Sequence, residues 1–128
     1  MGNPAAKQGD RIMAVDMHQI QPPSSSPPVM TPLPFSGMIN GSLCASVNIL
    51  GKPAATVDST ASNLPPHIPT GGTFVSPPDN KAKIVKGSSS VNIGGKAAAR
   101  AGDKADTCND DGQAQGGTVV AAGSVLIG

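Results

Sequence analysis

Residues Ser90–Cys108, SVNIGGKAAARAGDKADTC, join a short alternating strand, an Ala-rich run ending in Arg100, and an acidic loop that closes on a cysteine. Most of that order recurs. SVNILGKPAA starts at Ser46, and SVLIG ends the sequence at Gly128; PAAKQGD starts at Pro4, PAATVDS at Pro53 and AAARAGD at Ala97. Self-similarity at a regular spacing is the mark of a repeat architecture. The unit is an Ala-rich opening, an acidic loop, a Gly-centred hairpin and an SVxI strand, in copies at 4–52, 53–96 and 97–128. The quoted stretch straddles the seam between the second and third copies.

Each copy holds a candidate hairpin: MINGSLCASVNIL, KIVKGSSSVNIG and TVVAAGSVLIG. In each, an apolar segment precedes SVxI across Gly, Ser or Ala, which predicts that the two pair. The alternation Val91, Asn92, Ile93 suits a half-buried strand. No helical period persists, so the expected fold is mainly β: a small domain of three β-hairpin repeats about a pseudo-threefold axis. Convergence of three narrow sheets leaves little room for rings, in keeping with 2% aromatic residues and no Trp or Tyr. Glycine, with 16 copies, permits the tight corners.

The 128 residues fit one domain. A net charge of +1, with Lys and Arg scattered, excludes a nucleic-acid footprint. No apolar run is long enough to span a membrane. The first residues, MGNPAAKQGD, lack the basic-then-apolar order of a signal peptide, and Ala6 stands where N-myristoylation wants Ser or Thr. Synthesis in the cytoplasm is therefore expected, with Cys44 and Cys108 reduced; a Cys44–Cys108 bridge would require an oxidising compartment.

One good metal ligand follows each Ala-rich opening: His18, His67 and Cys108. Three such residues at matching places of a threefold fold would converge near the axis, where zinc could tie loops that have little apolar core. Iron is a second option. Structural zinc takes four ligands, and Asp16, Asp103, Asp106 or water could complete the set. Cys44, within the hairpin portion, reads as a small buried hydrophobe. A zinc hydrolase with an open coordination position is the alternative. Against it, the chain has no Glu to serve as base, and three small loops make no substrate pocket.

PAAKQGD, GKPAATVD and GKAAARAGD, with the SVNIxGK strands before them, resemble the Pro-Ala-Ala-Arg (PAAR) repeat family over nearly the whole chain. Only the third copy ends its motif in Arg; the others carry Lys7 and Thr56. Asp58 sits one place early relative to Asp10 and Asp103, which predicts a differently shaped middle loop. The resemblance implies a cone-shaped, non-enzymatic tip that caps the trimeric β-helical spike of a contractile injection machine. Type VI secretion systems and phage-tail-like particles are such machines. It further implies a metal held near the apex by three His and one Cys, of which His18, His67 and Cys108 match. The expected assembly is a free monomer that docks one copy per spike trimer, touches the target membrane transiently, and is delivered outside or into the target cell. Pseudo-threefold symmetry suits such a cap, since each repeat meets one subunit.

The Pro/Ser-rich segment 21–37, QPPSSSPPVMTPLPFSG, reads as an insertion in the first loop. Either it is a disordered or polyproline connector, or it wraps the flank and contacts effector cargo. ASNLPPHIPTGG holds the matching place in the second copy.

Overall fold

The computed structural model describes residues 2–24, 26–110 and 116–128. Among them every regular element is a strand. In chain order these are β1 (Asn3–Pro4), β2 (Arg11–Gln21), β3 (Val29–Gly41), β4 (Cys44–Ile49), β5 (Lys52–Ala54), β6 (Thr60–Asn63) and β7 (Thr73–Phe74). There follow β8 (Lys81–Ile84), β9 (Asn92–Ile93), β10 (Lys96–Ala97), β11 (Lys104–Asp106), β12 (Gly117–Val120) and β13 (Leu126–Ile127).

The lower tier is three antiparallel ribbons: β4 with β5, β9 with β10, and β13 with β1. Each SVxI strand therefore pairs with the Ala-rich segment that follows it in the repeat order. This corrects the expected pairing with the apolar segment before it. The reason is the turn. Leu50-Gly51 and Gly94-Gly95 all have positive φ, the backbone that a two-residue hairpin turn requires. The third ribbon joins the two ends of the chain.

Behind the ribbons the three openings meet at the axis. Ala6 N–H donates to Ala99 O at 2.9 Å, Ala99 N–H to Ala55 O at 3.1 Å, and Ala55 N–H to Ala6 O at 3.0 Å. All three alanines are fully buried. A methyl group is what such close backbone approach leaves room for. Each opening then makes one tight turn, in which Gly9, Asp58 and Gly102 take the equivalent place with φ of 92°, 78° and 90°. The Lys7 N–H is capped by Asp10 Oδ2 at 3.0 Å, Thr56 N–H by Ser59 Oγ at 2.9 Å and Arg100 N–H by Asp103 Oδ2 at 2.7 Å. The middle loop thus keeps the shape of the other two, with Asp58 in the glycine position and Ser59 in the carboxylate position.

The upper tier is a closed antiparallel barrel ordered β12-β11-β8-β6-β3-β2, in which β12 also pairs with β2; β7 adds to the far end of β2. Its repeating unit is a hairpin: β2 with β3, β6 with β8, and β11 with β12. Ile39, Ile84 and Val119 donate backbone N–H groups to Asp10, Ser59 and Asp103 carbonyls at 2.8, 2.9 and 2.8 Å. Ile12, Phe35, Ile39, Ala61, Ile84, Ala105 and Val119 fill the interior. The first hairpin is much the longest, and here the loop reading of 21–37 fails. Val29–Met38 pairs residue by residue with Ile20–Arg11, so 29–37 is strand.

Candidate metal centre

Alternation along β2 points Ile12, Asp16, His18 and Ile20 inward, all buried. Asp16 and His18, two apart, thereby share the barrel interior at its end remote from the alanine ring. The second hairpin brings His67, whose backbone N–H is held by Asn80 Oδ1 at 2.8 Å. The chain after β11 brings Thr107 and Cys108. Asn109 and Asp110 then run along β2: Asn109 Oδ1 accepts from Met17 N–H at 2.8 Å, and Asp110 Oδ2 from Gln19 N–H at 3.0 Å.

Asp16, His18, His67 and Cys108 each offer one ligand atom, and these atoms lie within 4.8 Å of one another. Asp16 Oδ2 is the hub. It lies 2.9 Å from His67 Nε2, 3.3 Å from Cys108 Sγ and 4.0 Å from His18 Nε2. Thr107 Oγ1 donates to the other carboxylate oxygen. His18 Nε2 is 3.8 Å from Cys108 Sγ, and the two imidazole centroids are 4.9 Å apart.

The residues fit a divalent cation on three counts. Asp16 is a fully buried carboxylate whose ion-pair partners among the described residues are histidines alone. A buried charge without a cationic partner is unfavourable, and a metal ion supplies that partner. His18 Nδ1 is buried with no aligned hydrogen bond, although Asp110 Oδ1 lies only 3.2 Å away. A carboxylate behind a histidine ring is the usual outer support of a metal-bound imidazole. Finally, the set of one carboxylate, two imidazoles and one thiol suits zinc and its neighbours. Without the ion, burial first and the Asp16 charge second push the Cys108 thiol up to about 12. Metal binding must displace that proton.

The structure brings together the three residues singled out from the sequence, His18, His67 and Cys108. Of the candidates for a fourth position it adds Asp16. Asp103 is tied to Arg100 at 2.7 Å in the basal turn, and Asp106 lies outside the four-residue cluster. The positional match between copies is kept by two of the three candidate ligands. His18 and His67 each stand eight residues after the equivalent Asp10 and Ser59, whereas Cys108 stands five after Asp103; the eighth, Asp111, lies outside the described residues. Thr107 and Asp110 carried no signal in the sequence. Asp16 did: it is two residues before His18 on an alternating strand. Cys44 is half-buried rather than buried, its thiol 3.3 Å from Ser46 Oγ, and both cysteines are free.

A search among curated proteins gives no match. The family model described as PAAR motif matches residues 35–108, more than half of the chain and the span that includes His67, Cys108 and two of the three alanine openings. The chain belongs to the PAAR-motif family, whose members are structural tips on the spikes of contractile injection systems.

Proposed function

We propose that this protein is the piercing tip of a contractile injection spike, seated through its ribbon tier and stiffened at the other end by one metal ion. The observation that carries this reading is the closed threefold ring of Ala6, Ala55 and Ala99, which gives the basal tier the symmetry of a trimeric shaft. Each ribbon then meets one subunit of the shaft in a similar way, so a single copy suffices per trimer. Asp16, His18, His67 and Cys108 are the proposed ligands and zinc the proposed ion. It would serve as a cross-link, joining β2, the second hairpin and the segment after β11. A role in tethering effector cargo is a finer variant of the same reading.

Purified protein mixed with its cognate spike trimer should co-elute at one copy per trimer, by mass of the complex. Three copies per trimer, or none, would overturn the docking model. Elemental analysis of protein prepared without chelator should give one zinc per chain, and Asp16→Asn or Cys108→Ser should lower both the metal content and the melting temperature.

A further inference from the structure

The two histidines of the candidate metal centre are backed by opposite kinds of neighbour. Both turn Nε2 toward the cluster, so they differ in what faces Nδ1. A neutral imidazole carries one proton, and the partner of one nitrogen decides which of the two holds it. Behind His18 stands a carboxylate oxygen, Asp110 Oδ1, 3.2 Å from Nδ1. A carboxylate only accepts, so the proton belongs on His18 Nδ1 and Nε2 is left bare for an ion.

Behind His67 stands Asn63, whose Nδ2 lies 3.3 Å from Nδ1. The oxygen and nitrogen of an amide are told apart by their partners, and here backbone donors fix both amides concerned. Ser36 N–H donates to Asn63 Oδ1 at 2.9 Å, and His67 N–H donates to Asn80 Oδ1 at 2.8 Å. Asn80 Oδ1 accepts in addition from Asn63 Nδ2 at 3.3 Å. Both contacts turn the nitrogen of Asn63, and not its oxygen, toward the ring of His67. Asn63 is buried and the His67 side chain is only 2% exposed, so these partners set the pattern rather than bulk water. An amide nitrogen only donates, which leaves His67 Nδ1 bare and the proton on Nε2, aimed at Asp16 Oδ2 at 2.9 Å. His18 is ready to ligate through Nε2, and His67 is not.

We propose that Asn63 is a positioning residue that restrains metal loading, by holding His67 in the tautomer whose Nε2 is occupied by a proton. Ligation through Nε2 requires that proton to leave and another to be taken up at Nδ1 from solvent, so the ring stays neutral. Nδ1–H would then meet the hydrogens of Asn63 Nδ2. Turning the amide over supplies an acceptor, but it sets Nδ2 against the Ser36 N–H and Oδ1 against Asn80 Oδ1. An aspartate at position 63 would accept from Ser36 N–H and from His67 Nδ1–H together, giving His67 the support that Asp110 gives His18. Asparagine there keeps the ion more weakly held than that aspartate would. The inference rests on the proposed ligation by His67.

The test is competition between the zinc-loaded full chain and a chromophoric chelator. Folded Asn63→Asp should hold zinc about tenfold more tightly than wild type, the scale on which outer partners of a ligand act. Thr70→Asp places the same charge on the groove that Asn63 and His67 line, and an exposed charge there should change affinity by less than about twofold. A second readout is NMR of the imidazole nitrogens, with only two histidines to assign. In zinc-free wild type His67 should show a bare Nδ1 and a protonated Nε2, and His18 the reverse. In Asn63→Asp the His67 pattern should become that of His18. Equal or weaker zinc binding by folded Asn63→Asp, equal tightening by Thr70→Asp, or a wild-type His67 proton on Nδ1 would overturn the proposal. The wild-type spectrum decides the matter if Asn63→Asp does not fold. Should wild type bind no zinc while showing the expected tautomers, the metal reading fails and the role of Asn63 in setting the ring stands. Should wild type bind zinc and Asn63→Asp bind it no better, this inference fails alone.

Discussion

Leu50 holds a left-handed backbone, φ 50°, in the first basal turn, where the second ribbon uses Gly94. A branched side chain in that conformation is unfavourable by roughly 1–2 kcal/mol. Leu50 is also 54% exposed, so burial returns little. Leu50→Asn should raise stability by about 1 kcal/mol, read as a rise of about 3–5 °C in melting temperature. The same change should weaken spike docking, because strain retained on an exposed basal corner is better explained by a contact than by folding. A fall in melting temperature would show instead that Leu50 supports the fold, its side chain lying over the backbone of Gly123. The two thiols should also separate cleanly. The Ser46 hydroxyl lowers the Cys44 pKa, while burial and Asp16 raise that of Cys108 to about 12. In metal-free protein near pH 8, iodoacetamide should therefore modify Cys44 well before Cys108, since only the thiolate reacts. Mass mapping showing the reverse order would contradict the site geometry. The linked stability has a definite sign. A folded pKa above the ordinary 9.0 contributes stability that is present below pH 9 and lost as the pH rises toward 12. Metal-free Cys108→Ser should lack that component of alkaline destabilisation.

At the scale of elements, the ribbons and the barrel differ in how plainly they are written. The SVxI strands and the alanine openings were legible because their residue types recur. Their partners were not, since pairing depends on turn geometry, and Leu50-Gly51 looks unlike Gly94-Gly95 until φ is known. The second half of the first hairpin was hidden by its prolines. Pro32 and Pro34 read as breakers, yet both stand where an edge strand needs no donor. The candidate metal cluster was half visible: the rare residue types mark His18, His67 and Cys108, while Asp16 is one of eight aspartates. The consequence for deletion is specific. Removing 22–34 takes away the partner of Val15–Ile20, including the residue opposite His18. That variant should lose cooperative melting and metal together, measured by calorimetry and elemental analysis. Phe35→Ala, which empties the largest fully buried side chain, should cost about 3–5 kcal/mol.

The whole molecule is two tiers with one symmetry and unequal contents. Threefold order is strict where the backbone meets itself and lapses toward the other end, where one hairpin is long and the candidate metal donors are two His, one Cys and one Asp. On the proposed docking of the ribbon tier to a shaft, the free protein should sediment as a monomer; a stable homotrimer in solution would refute that. The ring of Ala6, Ala55 and Ala99 also has a sense of rotation. Donation runs from Ala6 to Ala99, from Ala99 to Ala55 and from Ala55 back to Ala6. A torque about the axis therefore loads all three bonds alike, stretching them together in one direction and compressing them together in the other. The ribbons around that ring are less alike: two are joined by a covalent turn, while β13 is held against β1 by hydrogen bonds alone, so peeling has one place to begin.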